Sequence, residues 1–209
     1  SDEELAAAWQ TVCRNWKVAD AGKESGSLSW DDGRGCAVAI EGSGDEMTLD
    51  LGGGVKMEFV WIEALKGWVG KYEVTNEEYR RFKPDHRSGD VQGHSLNADR
   101  QPVVMVSYDD AVAFAAWVNK TAALPEGYKA RLPDVKEWLP FAQCGDGREY
   151  PWGKEWPPKY GNYADETGKT ILGYGIDGYN DGFVVACPVE KSGKNDWGVF
   201  GVGGNVWEW

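Results

Sequence analysis

Apolar residues recur along the opening stretch SDEELAAAWQTVCRNW at Leu5, Ala8, Trp9, Val12 and Trp16, the spacing of one helix face, and Ser1 with Glu4 makes a capping-box pattern ahead of them. An amphipathic helix is predicted there. From Leu28 to Ile62 the text changes to short runs, CAVAI, MTLDL and VKMEFVWI, separated by DDGRG, EGSGDE and GGG. Turn clusters between alternating or apolar runs predict strands in a meander or a set of hairpins.

Three further helix starts follow. In VTNEEYRRF, Thr75 and Glu78 form a second capping box, with Tyr79 and Phe82 on one face. In VSYDDAVAFAAWVNK, Ser107 and Asp110 cap a helix whose apolar face is Ala111, Phe114, Ala115 and Val118. Asp134 with Glu137 starts a third, with Trp138, Phe141 and Ala142 on one side and Pro140 expected to kink or shorten it. Residues 83–106 read as loop. After Cys144 no helical period appears for about sixty residues, far beyond the usual connection of about 4–6. That stretch needs something to hold it: its aromatics (Trp152, Trp156, Tyr160, Tyr163, Tyr174, Tyr179, Phe183, Trp197), a disulfide, or a metal. At the end of the sequence, GVGGNVWEW, the glycines suit a tight turn or close packing, and Val206, Trp207 and Trp209 are expected in the core.

Composition adds to this picture. The chain has 209 residues, 42% of them hydrophobic, enough for one sizeable core, with 12 Trp and 28 Gly pointing to a loop-rich fold pinned by aromatics. With 34 acidic against 22 basic residues and a net charge of -12, a nucleic-acid partner is excluded as a reading, because phosphate tracking needs clustered Lys and Arg. Excess carboxylate serves solubility or, in a loop region, calcium binding. Cys13, Cys36, Cys144 and Cys187 are too scattered for a zinc site and are left as disulfides or buried thiols. No run approaches the length of a membrane span, and any signal peptide is taken as removed.

The motifs GKYEVTNEEYRRF, QPVVMVSYDDAVAFAAW, RLPDVKEW, YPWG, GNYAD, DGF and GGNVWEW occur in this order between residues 70 and 209. Together they resemble the formylglycine-generating-enzyme, or sulfatase-modifying-factor, family, over about residues 55–209, with residues 1–54 as a helix and strand extension. The resemblance implies an α+β, C-type-lectin-like fold, low in regular secondary structure and stabilised by Ca²⁺. It also implies an oxidase chemistry that uses copper and a cysteine pair to convert a sulfatase cysteine to formylglycine. In the family both of those cysteines follow the GNVWEW motif, so the chain looks truncated and none of its own cysteines is assigned a catalytic role. Cys144 matches a family cysteine whose disulfide partner lies in the same later region.

The resemblance further implies two calcium sites. One takes the side chains of Asn162 and Asp181 with the carbonyls of Tyr163 and Phe183; taken alone, Asn and Asp beside Gly also make ordinary turns. The other takes the carbonyls of Gly204 and Val206 with the carboxylate of Glu208, but its leading side-chain position is Gly201, which offers no oxygen. A purely structural role for Glu208, bonding backbone within the core, stands beside that reading. Arg131, Asp134 and Glu137 are read as an ion pair and a cap rather than an acid/base set. His86 and His94 are read as exposed loop residues rather than metal ligands.

The resulting expectation is an extracytoplasmic, non-catalytic scaffold for a protein or carbohydrate ligand. The same fold displays variable C-terminal loops in proteins diversified by retroelements. The alternatives are a purely structural cell-surface domain and a copper-dependent oxidase, the latter requiring a cysteine pair beyond Trp209.

Overall fold

The computed structural model describes residues 46–209. The expected N-terminal helix, the strand at CAVAI, Cys13 and Cys36 lie outside the described residues.

Strands β1 (Glu46–Asp50), β2 (Lys56–Ile62) and β3 (Gly67–Gly70) form an antiparallel sheet in that order. Pairing of β1 with β2 runs from Glu46 opposite Val60 to Asp50 opposite Lys56, across the position at which the extension was expected to end. The intervening loop closes with Leu51 N–H donating to the Val55 carbonyl at 2.9 Å. Its Gly52, Gly53 and Gly54 all have positive φ, the conformation a side chain disfavours. β3, which pairs Trp68 with Trp61, was not anticipated, because GWVG is short and flanked by glycine.

The second half of β2 is covered on both faces, which is why FVWI reads as an apolar run, whereas VKMEF alternates and leaves Lys56 exposed. Val60 and Ile62 point into one cluster with Phe141, Ala142, Val199 and Val202. Met57 and Phe59, on the opposite face, pack against a second cluster of Leu49, Leu51, Tyr79, Phe114 and Val118. The second cluster is completed by helices α1 (Asn76–Phe82) and α2 (Tyr108–Thr121), and the first by α3 (Val135–Ala142).

All three helices begin at the capping boxes read from sequence: Thr75 with Glu78, Ser107 with Asp110, and Asp134 with Glu137. Arg131 makes a two-pronged ion pair with Glu137, at 2.6 and 2.5 Å. Pro140 sits in the last turn of α3, where the helix ends two residues later. Within the expected loop 83–106, β4 (Asp90–Val91) and β5 (His94–Ser95) form a short hairpin around Gln92 and Gly93, both at positive φ. His94 is exposed as expected, whereas His86 is half-buried, its Nε2 bonded to the Val104 carbonyl and its ring on Tyr79.

Beyond Cys144 the regular elements are only α4 (Lys169–Leu172) and a 3-10 turn at Val189–Lys191. Aromatic contacts knit its first part: Tyr150 stacks on Trp152 at 4.9 Å, and Trp152 meets Trp156, Tyr160 and Tyr163. The hydroxyls of Tyr160 and Tyr179 donate to the Pro151 and Gly161 carbonyls, so each ring also fixes backbone. Tyr174 takes no part and is exposed, and Trp197 packs instead on the Val60 cluster. No helix among the described residues is long and apolar enough to cross a membrane.

Candidate functional site

Three stretches of chain converge on Asn205. Its φ of +66 places a residue with a side chain in the left-handed region, and its backbone N–H donates to the Asn162 carbonyl at 2.8 Å. Its side-chain oxygen accepts from Asn162 Nδ2 at 2.9 Å and from Cys187 N–H at 2.8 Å. Its Nδ2 donates to Glu73 Oε1 at 2.8 Å. With a further, longer bond from Nδ2 to the Cys187 carbonyl at 3.4 Å, five bonds to three distant segments over-determine a strained residue.

Glu73 lies just ahead of the α1 cap and is buried, with its second oxygen accepting from Ser192 Oγ at 3.2 Å. Burial pushes its pKa up, against the lowering effect of those hydrogen bonds. Its carboxylate fills the space beside Gly201, where a Cβ would lie 2.2 Å from the carboxyl carbon.

Asn162 also donates to the Val185 carbonyl, which ties GNYAD to the segment after DGF. Asp181 accepts from Tyr163 N–H and Phe183 N–H, both at 2.9 Å. Tyr163 and Phe183 thus meet at the Asp181 carboxylate, while the Asn162 side chain bonds Val185 and Asn205. Asp165 was missed: fully buried, it accepts from Gly168 N–H at 2.8 Å and from Asp181 N–H at 2.6 Å. Burial raises the pKa of Asp181, the Tyr163 and Phe183 N–H bonds pull it back, and the Asp165 carboxylate adds to the rise. The signal for Asp165 was present, since it closes the GNYAD motif three residues after Asn162.

Gly204, Val206 and Glu208 are arranged differently. The Gly204 carbonyl accepts from Val206 N–H at 2.8 Å, closing a three-residue turn about Asn205. Glu208 accepts from the Trp138 indole N–H at 3.0 Å, where the core reading had it bonding backbone. The expected burial of the terminal aromatics is corrected: Trp207 is 89% and Trp209 56% exposed. The turn about Asn205 carries the chain out of the core at this point, and Trp209 is held at the surface by its N–H on the Val106 carbonyl and its ring on Tyr108.

Cys144 and Cys187 are both free and buried. Burial raises both thiols, Cys187 to about 12. Among the described residues no group of three or more His, Cys, Asp or Glu is placed to hold a metal ion, so any cation site here depends on amide and carbonyl oxygens as well. An open groove of about 340 Å³ runs beside the Asp181 turn, walled by His94, Ser95 and Gln101 on one side and Phe183 to Ala186 on the other.

The sequence profile of the sulfatase-modifying factor enzyme 1-like domain matches residues 40–209. The chain belongs to the sulfatase-modifying-factor family. Relatives within or near this family are the formylglycine-generating enzyme of Thermomonospora curvata, 38% identical over 109 residues, covering 52% of this chain and 32% of that protein. The inactive C-alpha-formylglycine-generating enzyme 2 of Bos taurus is 39% identical over 110 residues, 52% of this chain and 32% of that one. A hercynine oxygenase of Mycobacterium tuberculosis is 30% identical over 163 residues, 75% of this chain and 32% of that one. The chain thus spans about a third of the length of each of these three relatives. No solved structure matches.

Proposed function

We propose that residues 46–209 act as a calcium-held scaffold of the sulfatase-modifying-factor type, with a C-type-lectin-like fold, that presents a ligand surface outside the cytoplasm and performs no oxidation with its own cysteines. The observation that carries this reading is the state of the two described thiols. Oxidation through a cysteine pair needs thiolates that reach copper and a substrate thiol. Cys187 has no exposed surface, Cys144 is 8% exposed, and burial disfavours the thiolate of each.

Calcium enters the proposal through Asn162, Tyr163, Asp181 and Phe183. The donor set suits a hard divalent cation: a side-chain amide oxygen and two carbonyls that accept no hydrogen bond from a described residue, and a carboxylate next to a second one, Asp165. A bound Ca²⁺ supplies the charge that offsets the Asp165 and Asp181 carboxylates and fixes the loop from Cys144 to Gly204. For the ligand, a protein is favoured over a carbohydrate, because Met105, Tyr108 and Val112 are 80%, 55% and 43% exposed and Tyr108 meets the exposed Trp209 ring. Large apolar and aromatic side chains at the surface suit a protein partner.

A second reading is favoured by relatives named formylglycine-generating enzymes. In it, these residues form part of a copper-dependent oxidase whose cysteine pair lies elsewhere in a longer protein. One experiment tests the claim made for the two described thiols. The chain is incubated with copper and a peptide carrying a sulfatase-type Cys-x-Pro-x-Arg motif, and peptide mass is measured. The scaffold reading predicts no aldehyde product; product that disappears on Cys144→Ser or Cys187→Ser contradicts it.

A further inference from the structure

We infer that the second cation site implied for residues 201–208 is closed in this chain, and that the Glu73 carboxylate takes over its structural work through Asn205. The inference rests on the calcium reading of Asn162 and Asp181 only for its comparison site.

The leading position of that site is Gly201, at φ +77, where a side chain would have to begin 2.2 Å from the Glu73 carboxyl carbon. No ligand side chain fits there while Glu73 stays in place. The remaining donors are also committed. Gly204 turns its carbonyl onto Val206 N–H, Glu208 turns its carboxylate onto Trp138 Nε1, and the Gly201 carbonyl accepts Gly204 N–H at 3.0 Å. That leaves the Val206 carbonyl and one Glu208 oxygen as the implied ligand atoms with no hydrogen bond from a described residue. Calcium takes about six to eight oxygens, so these two fall far short.

What a cation does at such a turn is gather oxygens from distant segments. Here the same gathering is done in reverse polarity: the buried carboxylate of Glu73 collects donors, Asn205 Nδ2 at 2.8 Å and Ser192 Oγ at 3.2 Å. Asn205 passes the constraint to Cys187 N–H and to Asn162. The 187–205 region is therefore tied to the start of α1 by protein groups alone. By contrast, the Asn162 and Asp181 set keeps its amide and carbonyl oxygens open.

The test is calorimetric titration of chelator-stripped protein with calcium chloride, for the wild type and the Asp181→Asn, Glu208→Gln and Glu73→Gln variants. Glu208→Gln and Glu73→Gln are expected to leave the number of bound equivalents unchanged and the dissociation constant within about twofold. Loss of one equivalent in either variant overturns the inference. Asp181→Asn is the separate control: a wild-type isotherm in that variant sinks the calcium reading of the first site and leaves the closed second site standing. In Glu73→Ala, the melting temperature is expected to fall by the same amount with and without chelator. A fall seen only when calcium is present means that Glu73 is a ligand and contradicts the inference.

Discussion

The side-chain amide of Asn205 donates to the carboxylate of Glu73 at 2.8 Å, across 132 positions of sequence. Replacing Asn205 by Ala leaves the Cys187 N–H without its partner and takes one bond each from the Glu73 carboxylate and the Asn162 amide, which keep Ser192 Oγ and the Val185 carbonyl. Each unmet group costs about 1–3 kcal/mol, and the costs do not add in full. Asn205→Ala is therefore expected to lose about 2–4 kcal/mol in urea unfolding at neutral pH. Asn205→Asp should lose at least as much, because it sets a second carboxylate against Glu73. A loss under about 1 kcal/mol in either variant contradicts the hub.

Glu78, which caps α1 from a buried position, gives a pH dependence of definite sign. Desolvation pushes its pKa from 4.5 up to about 7, although the Thr75 N–H bond at 2.8 Å pulls the other way. A folded-state pKa above the unfolded one means that stability is fully present below pH of about 4.5 and falls as pH rises through about 7, at about 1.4 kcal/mol per unit of difference. Glu78→Gln keeps the shape and removes the titration. The difference between wild type and variant, measured by denaturant unfolding from pH 4 to 8, should slope across that window; a flat difference contradicts it.

How far the sequence reached depends on the range of each interaction. The three capping boxes were legible because Thr75 with Glu78, Ser107 with Asp110 and Asp134 with Glu137 each act within one turn. Asn162 and Asp181 were reached through motif resemblance, and the structure places Asp181 on the Tyr163 N–H. Glu73 was not reached, since its partner is 132 residues away and nothing local marks it. Asp165 was passed over as part of a motif, its burial being a property of the folded loop. Trp207 and Trp209 misled, because hydrophobicity predicts burial and says nothing of a turn at Asn205 that sends the chain outward.

Gly175 tests how tightly the Asp165 loop is built. A Cβ there would lie 2.3 Å from the Asp165 carbonyl oxygen, a backbone atom that cannot step aside like a flexible side chain. Gly175→Ala is expected to cost about 1–3 kcal/mol of stability. It should also weaken the response to calcium by displacing Asp165 from Asp181. A variant with wild-type stability contradicts the close approach.

The thiols give a direct readout of the scaffold. Native protein treated briefly with iodoacetamide at pH 8 and mapped by peptide mass should show Cys144 and Cys187 unmodified, because burial raises both thiols and covers both sulfurs. In denaturant both should label fully. Rapid native labelling of Cys187 contradicts the packed position assigned to it.

The central claim, that a cation at Asn162 and Asp181 holds the long loop after Cys144, is tested most directly by thermal unfolding with excess calcium and with chelator. A ligand bound only by the native state stabilises it by about 4 kcal/mol at a thousandfold excess over its dissociation constant. The wild type should melt several degrees higher in calcium, and Asp181→Ala should melt at one temperature in both conditions. Superimposable wild-type curves with and without chelator would contradict the account.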